Sequence, residues 1–173
     1  SKSFLSGGTE TILSGGSALS ATVRSGGQQL VSAGGLASAT VVSNSGSQVL
    51  SSGASAFQTV VSSGGNQTVL SGATASSTTV SSGGQLVLFS GGVAIGTTVS
   101  KGGSQIVSAA GTAAHTLLSI GGVATVLSGG LASATLVASG GQQVLSAGGV
   151  ASATSVGNGG LQTVSSGGSA LAT

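Results

Sequence analysis

The chain repeats itself. Residues 6–24 read SGGTETILSGGSALSATVR, and residues 25–43 read SGGQQLVSAGGLASATVVS. The same 19-residue unit starts again at 44, 63, 82, 101, 120, 139 and 158, with no insertion or deletion. A fixed period of this length means that one unit is one structural module, stacked on its copies to bury a face it cannot bury alone.

Aligned on one another, the repeats give clean columns. Position three is Gly in every copy, from Gly8 to Gly160, and position thirteen is Ala in every copy, from Ala18 to Ala170. Position seven is always Val, Ile or Leu, as in Ile12, Val31, Leu50 and Val164; position eighteen is Val or Leu, from Val23 to Val156. Position ten is Gly except at Ala110, and position sixteen is Thr except at Ala21. Position five is mostly Gln: Gln29, Gln48, Gln67, Gln105, Gln143 and Gln162.

The spacing selects the geometry. Between the glycine pairs lie short runs such as QQLVS and ATVVS, rich in β-branched residues, which read as strands. They are too short and too often interrupted by Gly for helices, where each Gly costs about 1 kcal/mol. The glycine pairs tolerate positive φ and supply the corners. Strict repetition stacks each strand on its copy in a parallel ladder, about 4.8 Å per coil, so nine coils make a rod about 43 Å long. Parallel crossovers are overwhelmingly right-handed. The fold class expected is therefore all-β, a right-handed parallel β-helix with one 19-residue repeat per coil, forming a single segment over residues 1–173.

Alternation then sorts the columns. Residues i and i+2 share a face of a strand, so Thr at sixteen points with the apolar eighteenth column, and Gln at five with the apolar seventh. A stacked Thr hydroxyl is expected to bond its copy in the next coil, and a Gln column to satisfy itself coil to coil. Glu10 stands in the Gln column and is expected at the surface. Positions six and seventeen face outward and yet hold Leu30, Val49 and Ile106, and Val41, Val60, Leu117 and Leu136. These apolar columns are candidates for a self-association face. Ser1–Leu5 read as the tail of a preceding repeat with Phe4 in the Val column, and Thr173 stops within a repeat. The chain is thus expected to be a piece of a longer array.

Composition removes most functions. The charged residues are Lys2, Glu10, Arg24 and Lys101, and there is no Cys. One carboxylate forms neither a glycosidase pair nor a calcium cage. One His without Cys forms no zinc site and no disulfide framework. Three scattered cations do not neutralise a nucleic-acid backbone. The mean hydropathy of +0.56 argues against a disordered Gly/Ser linker. No apolar run reaches the ~18 residues of a membrane-spanning helix, and the strands are about half the length a transmembrane barrel needs. The glycine pairs recur in every coil with no Lys and no following helix, so they are turns rather than phosphate loops. His115 reads as a solvated side chain. No cofactor, metal or catalytic residue is expected, and no enzymatic activity.

The pattern SGGxQxVxxGGxAxxTxV at a period of 19, running from Ser6 to Thr173, resembles the passenger repeats of AIDA-type self-associating autotransporter adhesins of Gram-negative bacteria. The resemblance implies a right-handed β-helix displayed outside the outer membrane, a role in host-cell attachment, autoaggregation and biofilm growth, and other copies of the chain as partners beside an unidentified host receptor. It also implies a heptosyltransferase as modifying enzyme, adding heptose to Ser in turns. The matching residues are Ser14, Ser25, Ser63, Ser82, Ser90, Ser128, Ser139 and Ser166. Sugar there would add polar bulk to a surface almost without charge. Two other readings fit the columns. A regular Thr column on a flat solenoid face suits ice binding, although position seventeen is Thr only at Thr22, Thr79 and Thr98. A passive spacer holding another domain away from a cell fits equally.

Overall fold

The structure is a computed structural model that describes residues 2–173; Ser1 lies outside them. The described residues form three nine-stranded parallel sheets and no helix. Each coil contributes one strand to each sheet. The first sheet runs from Thr9–Ile12 to Leu161–Val164, and the second from Ser17–Leu19 to Ser169–Leu171. The third runs from Phe4–Ser6 to Ser155–Val156. Pairing keeps the 19-residue register, so Gln48 stands between Gln29 and Gln67, and Ala56 between Ala37 and Ala75. The parallel solenoid expected from the repeat is what forms.

Three strands per coil replace the two runs seen in the sequence. The second run divides at position fifteen, where Ser20, Ala39, Gln58, Ser77, His115, Ala134 and Ala153 have φ between 51° and 59°. Only Gly96 has glycine at this corner. Left-handed φ costs an ordinary residue about 1–2 kcal/mol. The ladder holds it in place: Ala39 N–H donates to the Phe57 carbonyl of the next coil at 2.9 Å, and His115 N–H to that of Ser133 at 2.9 Å. The residue type gives no sign of this corner, because the neighbouring coil imposes it.

The invariant glycine at position three has a different cause. From Gly27 to Gly141 it is buried, and a Cβ on Gly27 would lie 2.5 Å from the Leu5 carbonyl oxygen and 3.0 Å from that of Arg24, whereas Gly8 in the first coil is exposed with nothing within 4 Å of such a Cβ. On Gly46 the Cβ would press on the Val23 carbonyl. The coils approach too closely there for any side chain.

The core is narrow and aliphatic. Val31, Leu50, Val69, Leu88, Val107, Val126 and Leu145 of column seven are fully buried, as are Val42, Val61, Val80, Val99, Leu118 and Val137 of column eighteen. The Ala column at thirteen lines the third wall, with Ala37, Ala75, Ala94 and Ala151 also sealed.

Inside this core runs a polar ladder. Gln29, Gln48, Gln67, Gln105 and Gln143 are fully buried, as the alternation requires. Gln67 Nε2 donates to Gln48 Oε1 at 2.7 Å, Gln48 Nε2 to Gln29 Oε1 at 2.7 Å, and Gln29 Nε2 to Glu10 Oε2 at 2.7 Å. Glu10 is therefore half-buried at the foot of the ladder rather than on the surface, since its column faces inward. The Thr hydroxyls also depart from expectation. They do not bond their copies one coil away. Thr40 Oγ donates to Gln29 Oε1 at 3.2 Å, Thr59 to Gln48 at 3.2 Å and Thr78 to Gln67 at 3.0 Å, each within its own coil. The amide oxygen has two lone pairs, and it takes one hydrogen from the next Gln and one from the Thr across the core.

The ladder breaks where Leu86 and Ala124 replace Gln. Beyond Ala124 the small side chain lets Gln143 Nε2 reach Thr135 Oγ at 3.2 Å. At bulkier Leu86 nothing substitutes, and Thr97 Oγ and Gln105 Nε2 are buried without a partner.

The register at the first strand differs from that expected. Phe4 pairs with Thr22 and Leu5 with Val23, so Leu5, not Phe4, enters the Val column. The turn between Leu5 and Thr9 is one residue shorter than its copies, which slips the pairing by one. Phe4 is thereby placed outside, 59% exposed, with the Arg24 guanidinium 4.3 Å above its ring, a cation–π contact.

Candidate functional site

Most polar groups of the core pair inward, and the side chains open to a ligand or partner are those on the outer surface. No cavity opens among the described residues, and they include no cluster of metal-ligating side chains. Lys2, Arg24, Lys101 and His115 are exposed and scattered. What the surface repeats is hydroxyl groups at the corners and aliphatic groups on the sheets.

The eight candidate serines are all exposed. They divide into two kinds of turn. In the first, both central residues are left-handed: Ser25 and Gly26 have φ of 53° and 75°, Ser63 and Gly64 50° and 73°, Ser82 and Gly83 49° and 77°. A hydrogen bond closes each turn, from Gly27 N–H to the Arg24 carbonyl at 2.9 Å, Gly65 to Ser62 at 2.8 Å and Gly84 to Ser81 at 2.8 Å. Positive φ at both centres is the type I′ arrangement, and it turns the chain from the third sheet into the first.

In the second kind only the glycine is left-handed. Gly15, Gly91, Gly129 and Gly167 have φ of 74°, 74°, 73° and 82°, whereas Ser14, Ser90, Ser128 and Ser166 before them do not have positive φ. Gly16 N–H closes one such turn on the Leu13 carbonyl at 2.8 Å. Ser139 stands at position one, yet only Gly140 after it has positive φ, at 73°. Its backbone belongs to the second kind.

Two serines escaped the sequence motif. Ser52 and Ser71 occupy the same turn in the SGA sequences before Ala54 and Ala73, are exposed, and precede Gly53 and Gly72 at φ of 75° and 72°. The signal that finds them is the column, position nine before a glycine, rather than the SGG triplet.

The aliphatic candidates face outward but do not form one face. Leu30, Val49 and Ile106 lie on the first sheet and are half-buried; Val41, Val60, Leu117 and Leu136 lie on the third, with Leu117 half-buried and the other three exposed. The second sheet carries a further outward set that the sequence reading missed: Leu19, Leu36, Phe57, Ile95 and Leu131, all exposed. Alternation about the invariant Ala would have found it.

The sequence profile of AIDA, described as the adhesin of the bacterial autotransporter system, probable stalk, matches residues 33–84 and 109–160, together more than half of the chain. Among solved structures, the chain is similar to the crystal structure of a TibC-catalysed hyper-glycosylated TibA55-350 fragment. The identity is 29% with a TM-score of 0.55, covering 98% of this chain and 83% of that one. No curated protein sequence matches the chain significantly.

Proposed function

The chain belongs to the AIDA family of bacterial autotransporter adhesins, and from that premise we propose that it is a non-enzymatic, glycan-bearing segment of a longer surface-displayed passenger that mediates attachment and self-association. The observation that carries this reading is the division of the rod: most polar groups of the core bond one another inside, and turn serines and outward aliphatic side chains recur along the outside in most coils. Glu10, the sole carboxylate among the side chains, is engaged by Gln29, so the acid–base pair that hydrolytic chemistry requires is missing from the side-chain set.

The turn serines are the proposed acceptors for a heptosyltransferase. The hyper-glycosylated TibA fragment, similar over nearly the whole chain, supports that assignment. Display outside a Gram-negative cell, host-cell attachment and biofilm growth are part of this proposal, and the family supports them. Contact between parallel rods multiplies weak contacts, so affinity grows with the number of coils engaged.

A second reading is favoured by the family's own description as a probable stalk: a passive spacer that carries an adhesive region elsewhere. Displaying the chain on non-clumping cells with Val41→Lys, Val60→Lys and Leu136→Lys together separates the two. The contact reading expects clumping by the parent sequence and its loss in the triple variant. Clumping unchanged by three added charges removes that face, and no clumping by the parent leaves the spacer. Intact mass of the chain from its native host tests the glycan, with heptose-sized additions expected and the bare peptide mass refuting it.

A further inference from the structure

The two kinds of turn hold their hydroxyls differently. In the second kind the serine oxygen leans over the glycine of the following coil, close to where a Cβ there would sit. A Cβ placed on Gly34 would be 3.0 Å from Ser14 Oγ, on Gly72 3.2 Å from Ser52 Oγ, on Gly91 2.9 Å from Ser71 Oγ, and on Gly148 2.6 Å from Ser128 Oγ. Ser139 behaves the same way, its Oγ 3.0 Å from such a Cβ on Gly159. In the left-handed turns no such approach occurs. A Cβ on Gly83 or Gly102 would meet only the Gly64 and Gly83 backbone nitrogens, at 3.8 and 3.9 Å, with no atom of Ser63 or Ser82 within 4 Å. Ser25 shares their positive φ of 53°.

Resting on the reading of turn serines as glycan acceptors, we propose that the folded rod offers only its left-handed row, Ser25, Ser63 and Ser82, for glycosylation, and that Ser14, Ser52, Ser71, Ser128 and Ser139 accept sugar only before the coils stack. Transfer requires the Ser Oγ to attack the anomeric carbon of a nucleoside-diphosphate-activated sugar. The Oγ–C1 bond forms, and the bond from C1 to the phosphate oxygen breaks with its electron pair leaving on the nucleoside diphosphate. A basic group of the transferase takes the hydroxyl proton. The sugar and the transferase must therefore close around the oxygen. Coils stack about 4.8 Å apart, so an exposed oxygen that leans over the next coil's glycine has less of that room than one that makes no such approach. Ser139 is the sharpest case. Its local sequence, SGG, is the same as that of Ser63 and Ser82, so a transferase reading sequence treats the three alike and one reading the folded corner does not.

The test compares the full folded chain, incubated with TibC, the enzyme that glycosylated the TibA fragment, and nucleotide-activated heptose, with the same chain co-expressed with TibC so that transfer accompanies synthesis. Peptide mass mapping reads occupancy at each serine. The expected result is modification of both rows on co-expression. On the folded chain Ser63 and Ser82 should label while Ser139 labels at least about tenfold more slowly, a barrier difference of about 1.4 kcal/mol. Equal labelling of Ser139, Ser63 and Ser82 in the folded chain overturns the inference and leaves the glycan reading intact. Transfer in neither preparation overturns both.

Discussion

The Gln ladder makes one substitution mean opposite things at two sites. Gln48 and Gln105 are both fully buried in the same column. Replacing Gln48 by Leu orphans two donors, Gln67 Nε2 and Thr59 Oγ, which now bond to its Oε1. Replacing Gln105 by Leu orphans only Thr116 Oγ and removes an Nε2 that already has no partner. The apolar transfer of the new Leu is common to both and cancels. The difference is two bare buried polar groups at about 1–3 kcal/mol each, so Gln48→Leu should be less stable than Gln105→Leu by about 2–6 kcal/mol. For a chain of this size 1 kcal/mol is about 2–4 °C in Tm, so the two variants should differ by at least about 4 °C. Thermal unfolding followed by circular dichroism reads this, with urea midpoints as a check. Hydrogen exchange resolves the effect coil by coil, which matters because stacked repeats can open locally. Equal destabilisation by the two substitutions would refute the assignment of hydrogen bonds along the ladder.

Further substitutions probe the same physics elsewhere. Leu86→Gln supplies partners for Thr97 Oγ and Gln105 Nε2 in place of a buried Leu; weighing two satisfied groups against about 1.5–3 kcal/mol of lost apolar burial, a net gain of about 1 kcal/mol is expected in urea unfolding. Gly46→Ala drives a Cβ onto the Val23 carbonyl and should cost about 3 kcal/mol, at the upper end for overpacking, whereas Gly129→Ala, in a column where Ala110 is already accommodated at φ 57°, should cost only about 1 kcal/mol; comparable losses would contradict the close approach at position three. Ile120, β-branched, 68% exposed and held at φ 35°, should gain about 1 kcal/mol as Ile120→Asn, because Asn44 occupies the same turn position at φ 48°.

Much of this was legible in the residues. The 19-residue period gave the coil, and alternation placed Gln29, Gln48 and Gln67 inside with Val31, Leu50 and Val69. The corner at Ala39 and His115 was not legible, because its left-handed φ is imposed by hydrogen bonds from the adjoining coil and leaves no glycine behind. The pairing of Thr40 with Gln29 was missed because the two columns lie 11 residues apart and meet only when the coil closes. Phe4 and Leu5 exchanged roles through one residue missing from a turn, which a gapless alignment does not reveal. On the surface, exposure of the turn serines was foreseen. The division of those serines into two backbone classes was not, since Ser139 and Ser82 share a sequence and differ in φ.

The most direct test of a rod that bonds its polar groups inside and works from its outside is side-chain amide exchange by NMR. Buried Gln29, Gln48, Gln67 and Gln143 should keep their Nε2 protons far longer than exposed Gln28, Gln58 and Gln142. Exchange of all of these amides at the free-solvent rate would mean that no such ladder exists.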